Sequence, residues 1–239
     1  MRIAFVHTLL KLAQKNKDVM LLTGDLGYSV FEEYIQKLPN QYINMGVAEQ
    51  NMTGVAAGMA IEGKIPLIYS IAPFVTMRNF EQIRNDICYQ NLNVKIVGVG
   101  AGFSYGPYGH SHHALEDIGI LRTLANLRIY CPGDPTEVET LTESALTHIG
   151  PVYLRLGKAG EPRIQDDKSK IIPGKAFIIQ EGKDITLIST STLLYRAYEV
   201  ANKLQSKFNL SIRLVSMHTI KPLDVEAIIN SARTAKAIF

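Results

Sequence analysis

Apolar runs of strand length recur along the chain, separated by stretches in which apolar positions return every three or four residues. Val19–Thr23, 66–70, 94–99, 127–131 and Val152–Leu156 carry at most one charged residue each. Runs of this kind predict strands covered on both faces of a parallel sheet. Between them, 48–61, 77–89 and 136–147 predict helices, and Pro132-Gly133-Asp134-Pro135 supplies the turn and start of the last. Near the N-terminus, Phe5, Leu9, Leu12 and Ala13 fall on one helical face. This alternation predicts an α/β fold with a doubly wound, mostly parallel sheet. A polar stretch containing Asp166-Asp167-Lys168-Ser169-Lys170 reads as a linker. A second α/β pattern follows it: strands over 185–189 and 212–215, helices over 193–207 and 225–232, and a strand begun at Ala237-Ile238-Phe239.

Composition narrows the class without naming a chemistry. The 239 residues have room for one large domain or two small ones. A net charge of +3, with both signs interspersed, leaves no nucleic-acid footprint. No apolar run is long enough for a membrane span, and His7 and Lys11 interrupt the start that could pass for a signal peptide. Cys88 and Cys131 stand in apolar runs with no metal or redox spacing. Buried, reduced thiols and a cytoplasmic location are the expectation.

One residue invites a chemical reading. Glu49 is the only charged residue in 46–60, a helix of small side chains entered from the short apolar run 42–45. A carboxylate there can simply favour the positive end of a helix. It can also belong to a site, because strand-to-helix turns are where α/β folds build them. Val47-Ala48-Glu49-Gln50 and the Gly/Ala-rich helix after it resemble the pyrimidine-binding domain of transketolase-like thiamine diphosphate enzymes. Four more segments agree in order: Gly24-Asp25-Leu26-Gly27-Tyr28-Ser29, Phe74 with Arg78-Asn79-Phe80-Glu81-Gln82, Gly109-His110-Ser111-His112-His113, and Pro151-Val152-Tyr153-Leu154-Arg155. The resemblance covers about residues 1–160 well and the remainder more weakly.

The resemblance implies a pyrimidine-binding domain over 1–160, a linker over 161–174 and a transketolase C-terminal-like domain over 175–239, expected to be incomplete. It gives Glu49 the catalytic hydrogen bond to the pyrimidine of thiamine diphosphate, with Gln50 beside it. Burial raises the pKa of such an acid and a helix N-terminus lowers it, and burial is expected to prevail once the cofactor closes the site. Phe74 is expected on the pyrimidine face, with core packing as the bland alternative and Val75 or Arg78 as other registers. Phe80, Ile83, Ile87 and Tyr89 read as packing. His112 matches the family's catalytic histidine, and His110 and Arg78 fall at substrate-facing positions. The three histidines could instead bind a metal, but no matched acids or Cys stand at ligand spacing, so no metal site is assigned. Glu116 and Asp117 are expected to cap a helix. Asp25 and Ser29 match substrate-binding positions, although Gly and Asp are also ordinary turn residues. Arg155 matches a phosphate-binding arginine at a strand end.

Thiamine diphosphate enzymes hold Mg2+ (or Ca2+) and the diphosphate through a Gly-Asp-Gly…Asn motif. Gly24-Asp25 with Asn51 imitates its spacing, but Leu26 replaces the second glycine. The resemblance therefore implies one subunit of a split transketolase, transferring a ketol unit from a ketose, expected to be phosphorylated, to an aldose. It implies an N-terminal diphosphate-binding partner subunit that holds most of the metal, self-association through both domains, and a heterotetramer. Deoxyxylulose-phosphate synthase, the beta subunit of 2-oxo acid dehydrogenases and a non-catalytic regulatory paralogue remain alternatives.

Overall fold

The computed structural model describes residues 1–239. The strands are β1 (Val19–Thr23), β2 (Tyr42–Asn44), β3 (Ile65–Ile71), β4 (Lys95–Val99), β5 (Arg128–Tyr130), β6 (Val152–Leu156), β7 (Phe177–Gln180), β8 (Ile185–Ser189), β9 (Ile212–Ser216), β10 (Thr219–Lys221) and β11 (Ala237–Ile238). The helices are α1 (Arg2–Ala13), α2 (Glu32–Lys37), α3 (Glu49–Ile61), α4 (Ala72–Thr76), α5 (Phe80–Gln82), α6 (Asp117–Leu121), α7 (Pro135–Thr147), α8 (Leu194–Phe208) and α9 (Val225–Thr234). None is long and apolar enough to cross a membrane.

Seven strands form the main sheet in the order β10-β5-β6-β4-β3-β1-β2, all parallel except β10. Every residue of β1, β4 and β6 is buried, as the apolar runs require. Alternate side chains serve opposite faces. Leu21, Tyr69, Val97 and Leu154 pack with Phe5 and Leu9 of α1 and Val138 and Leu141 of α7. Met20, Leu22, Ile68 and Ile96 pack with Met52 and Ala56 of α3 and with Ile83 and Ile87. Cys88 and Cys131 are buried and free, and burial pushes both thiols up to about 12.

The helix expected over 77–89 is broken. Pro73 starts α4 early, as the fixed φ of proline favours in a first helical turn. After the break, α5 continues as a π turn, Ile83–Cys88. Asn79, buried at the break, donates to Thr53 Oγ1 at 2.6 Å, and that hydroxyl donates to the Glu49 carbonyl at 2.7 Å. Ile83 and Ile87 pack as expected, whereas Tyr89 lies beyond the π turn and is 85% exposed. Its reading as packing is corrected.

A smaller sheet, β11-β8-β9-β7, covers the C-terminal region, with only β7 antiparallel. The two sheets are tied together, because β10 crosses from the second region to pair with β5. The polar stretch after β6 is also fastened. Asp134 caps α7 by accepting from Glu137 N, and its other oxygen accepts from the backbone N–H groups of Ile164 and Gln165.

Glu137 makes this junction sensitive to pH. Its Oε2 accepts from Gly133 N at 2.6 Å, yet burial pushes its carboxyl up to about 7 from an ordinary 4.5. An acid whose folded pKa is raised contributes full stability below the unfolded pKa and loses it as pH climbs through the folded value. From this group, stability should therefore fall between pH 4.5 and 7, by about 3 kcal/mol at most. Urea unfolding at pH 5 and pH 8 should show a smaller difference in Glu137→Gln than in the parent protein. Equal differences in the two proteins would remove Glu137 as the cause.

Candidate active site

The site lies at the C-terminal ends of β1 and β3, the edge where open parallel sheets bind ligands. Glu49 opens α3 after Ala48, whose φ of −143° keeps the preceding residue outside the helix. Its side chain is wholly inaccessible to solvent. Oε1 accepts from Ser70 Oγ of β3 at 2.9 Å, and Oε2 accepts from Arg78 Nη1 at 2.6 Å. At the end of β1, a Cβ on Gly24 would stand 3.2 Å from Glu49 Oε1 and 3.3 Å from Ser70 Oγ. Glycine there keeps the backbone close to the carboxylate.

Arg78 links the acid to an aromatic ring. Its guanidinium lies 4.3 Å over the centroid of Phe74, and 41% of its side chain remains exposed. Phe74, half-buried on α4, meets His112 edge-on at 5.1 Å between centroids. Glu49, Arg78, Phe74 and His112 thus form one continuous array.

His112 sits on a loop of two short 3₁₀ turns, 106–108 and 110–112. Gly102 and Ala114 close the loop with reciprocal backbone hydrogen bonds. His112 Nδ1 is 3.0 Å from Ser111 Oγ, and Nε2 has no partner within the chain. Tyr105 and Tyr108 flank the imidazole at 5.7 and 5.1 Å. Burial raises the pKa of the Tyr105 hydroxyl. At Gly100, with φ +92°, a Cβ would run into the Tyr105 ring, so glycine lets that ring lie against the chain. His113 Nε2–H donates to the Gly106 carbonyl, which fixes the loop rather than presenting a ligand. No three His, Cys, Asp or Glu side chains gather closely enough to hold a metal ion.

Asp25 and Ser29 lie on the exposed loop after β1, both in left-handed conformation at φ +54° and +61°. Asp25 accepts from Asn44 Nδ2 and from the Tyr28 hydroxyl, and its own N–H reaches Asn44 Oδ1. Gln50, in the first turn of α3, and His110 are exposed at the rim.

Arg155 is not available to a substrate in this arrangement, and the expectation of a phosphate-binding arginine is corrected. Only 7% exposed, it donates to both oxygens of Asp117, to the Ala114 carbonyl and to Ser191 Oγ. Burial works against its charge, but the hydrogen bond and charge of Asp117 outweigh that and raise its pKa. Asp117 opens α6 as expected, but its carboxylate turns inward to Arg155 and Tyr153 instead of capping the helix.

Tyr105 and Tyr108 were missed by the sequence reading. Their signal is the interleaving of aromatic residues and glycine in Gly102-Phe103-Ser104-Tyr105-Gly106-Pro107-Tyr108-Gly109, a pattern that suits a loop packed by its own rings.

Comparison with known proteins adds independent findings. Residues 1–161 match the model of the transketolase pyrimidine binding domain, and 174–239 that of the transketolase C-terminal domain. The chain is 37% identical over 233 residues to a subunit of the apulose-4-phosphate transketolase of Phocaeicola vulgatus, covering 97% of this chain and 74% of that protein. It is 34% identical over 239 residues to a 6-deoxy-6-sulfo-D-fructose transketolase subunit of a Clostridium species, covering all of this chain and 74% of that one. A solved structure described as a split gene transketolase, inactive beta4 tetramer, superposes with a TM-score of 0.88 at 37% identity, over 98% of this chain and 76% of its own. The chain spans about two thirds to three quarters of the length of such curated relatives.

Proposed function

The chain belongs to the transketolase family, and on that premise we propose that it is the pyrimidine-binding subunit of a split, thiamine diphosphate-dependent transketolase. Paired with an N-terminal diphosphate-binding subunit, it transfers a ketol unit from a phosphorylated ketose to an aldose. The observation that carries this reading is the array from buried Glu49 through Arg78 and Phe74 to His112.

These residues fit the cofactor. A fully buried carboxylate at a helix start, with Gly24 leaving no side chain against it, can hold a pyrimidine nitrogen, and the half-buried Phe74 offers a ring face. Thiamine diphosphate, when bound, supplies the electron sink for breaking and making the carbon–carbon bond. Glu49 holds the proton at the pyrimidine nitrogen, and Ser70 and Arg78 hold Glu49. Gln50 borders the cofactor. His112, with Nδ1 at Ser111 and Nε2 free, moves the proton at the substrate oxygen. Asp25, Ser29 and His110 line the substrate side. The metal, Mg2+ or Ca2+, belongs mainly to the partner. Asp25 is already bonded to Asn44 and Tyr28, and Asn51 is exposed on α3. Buried, free thiols suit a reducing compartment such as the cytoplasm.

The related split transketolase is an inactive beta4 tetramer by its description. This chain is accordingly expected to self-associate through both its domains, without activity, and to become active as a heterotetramer with the partner. Co-expression with a candidate partner, followed by a ketol-transfer assay, tests the reading. Activity should require both chains, and His112→Asn in the pair should lower kcat by about 10²–10⁴-fold while cofactor stays bound. A partner fully active alone would make this chain regulatory. Decarboxylating condensation of a 2-oxo acid with an aldehyde, in place of ketol transfer, would overturn the transketolase assignment.

A further inference from the structure

The groups that would receive the pyrimidine are already engaged by the chain itself. Glu49 is wholly enclosed and both its oxygens are taken, Oε1 by Ser70 Oγ at 2.9 Å and Oε2 by Arg78 Nη1 at 2.6 Å. The Arg78 guanidinium also lies over the Phe74 ring, 4.3 Å from its centroid. A guanidinium is flat, delocalised and edged with N–H donors, and it stacks on aromatic faces. It thus makes the two contacts that a pyrimidine would make here, a hydrogen bond to the carboxylate and a stack on the ring. Of the two side chains bonded to Glu49, Ser70 is buried, whereas 41% of the Arg78 side chain is exposed. Arg78 is therefore the partner that can withdraw into water. It stands in the break between α4 and α5, and its neighbour Asn79 is pinned to Thr53 Oγ1 at 2.6 Å. That bond holds the backbone, so the movement left to Arg78 is rotation of its side chain.

We propose that Arg78 is an internal surrogate for the pyrimidine, closing the cofactor site of the free chain and yielding it to thiamine diphosphate. This role rests on the reading of Glu49 and Phe74 as cofactor-binding residues. In the closed arrangement Arg78 keeps the buried acid paired, which spares the empty site an uncompensated internal charge. To admit the cofactor, Arg78 must leave the Phe74 face. It need not release Glu49 altogether, because a carboxylate oxygen has two lone pairs and can accept from a second donor. Closure weakens binding by a definable factor. A site that is open only part of the time shows an affinity reduced by its open fraction. Arg78 thereby sets how readily the empty site fills, while Glu49 and Phe74 set how firmly the pyrimidine is held.

The test uses the chain paired with its diphosphate-binding partner and stripped of cofactor. Binding of thiamine diphosphate with Mg2+ is followed by stopped-flow circular dichroism, which gives association and dissociation rates without turnover. Arg78→Lys keeps a charge for Glu49 but replaces the flat plate by a compact point charge. It should raise the association rate about tenfold, and the affinity with it, while dissociation changes little. Arg78→Met vacates both the acid and the ring. It should associate at least as fast as Arg78→Lys, and it should lower the melting temperature of the unpaired chain, which Arg78→Lys should not. Faster dissociation at an unchanged association rate, or weaker binding, would make Arg78 a support of the bound cofactor and overturn its role as a surrogate. Equal rates in the parent and both variants would overturn it as well, and in either case the transketolase reading would stand. If neither the parent pair nor the variants bind thiamine diphosphate, the cofactor reading of the site fails and the surrogate role falls with it.

Discussion

Replacing Glu49 by glutamine should leave the chain folded and able to pair, yet lower ketol transfer by about 10²–10⁴-fold or more. The substitution preserves shape and removes only the charge and the exchangeable proton. Inside the site the amide can satisfy both neighbours of the carboxylate. Its oxygen can accept from Arg78, and its NH₂ can donate to Ser70 Oγ, because a hydroxyl rotates to accept as readily as it donates. Arg78 loses an ionic partner but keeps the Phe74 ring and considerable contact with water, so the structural cost stays small. The chemical cost is large, since an amide cannot hold and release a proton at a pyrimidine nitrogen. Thermal unfolding and retained thiamine diphosphate should therefore change little while kcat collapses. A variant with near-normal turnover would remove Glu49 from the chemistry.

Glu49 was legible in the sequence because it is the single charge in a helix of small residues, and burial of an isolated acid demands a reason. The parallel sheet was legible for a similar cause: runs such as Val19–Thr23 and Val152–Leu156 are apolar on both faces and make sense only when covered twice. What the sequence concealed depends on partners far along the chain. The motif position of Arg155 at a strand end suggests an anion site, and only the fold brings Asp117 and Ser191 to it. Likewise Thr219–Lys221 is too short to read as a strand, and it becomes one because β5 presents an open edge. The break in 77–89 is set by Pro73 outside that span and by the side-chain bond from Asn79 to Thr53 on another helix. The aromatic setting of His112 is a property of loop closure, which the periodicity of regular elements does not report.

Replacing Arg155 by methionine should destabilise the protein by about 3–5 kcal/mol. Asp117 is fully buried and would keep only the Tyr153 hydroxyl at 2.6 Å against its charge. Breaking a buried pair leaves an uncompensated ion, and that penalty exceeds what the intact pair contributes. In a chain of this size such a loss lowers the melting temperature by on the order of 10 °C. Removing both charges, as Arg155→Met with Asp117→Asn, should cost less than the sum of the single changes, the signature of direct coupling. The damage should also reach the site. Arg155 holds the Ala114 carbonyl, where the His112 loop closes against Gly102, and its bond to Ser191 joins that loop to the second region. Amide exchange at 110–114 should accelerate in the single variant. A reader of substrate phosphate would behave differently: the same change would leave the melting temperature nearly unmoved and raise only KM for the phosphorylated ketose. Measuring both quantities on Arg155→Met separates the two roles. Arg155 should register in stability and loop exchange and leave KM little changed, because its guanidinium is enclosed by its acid.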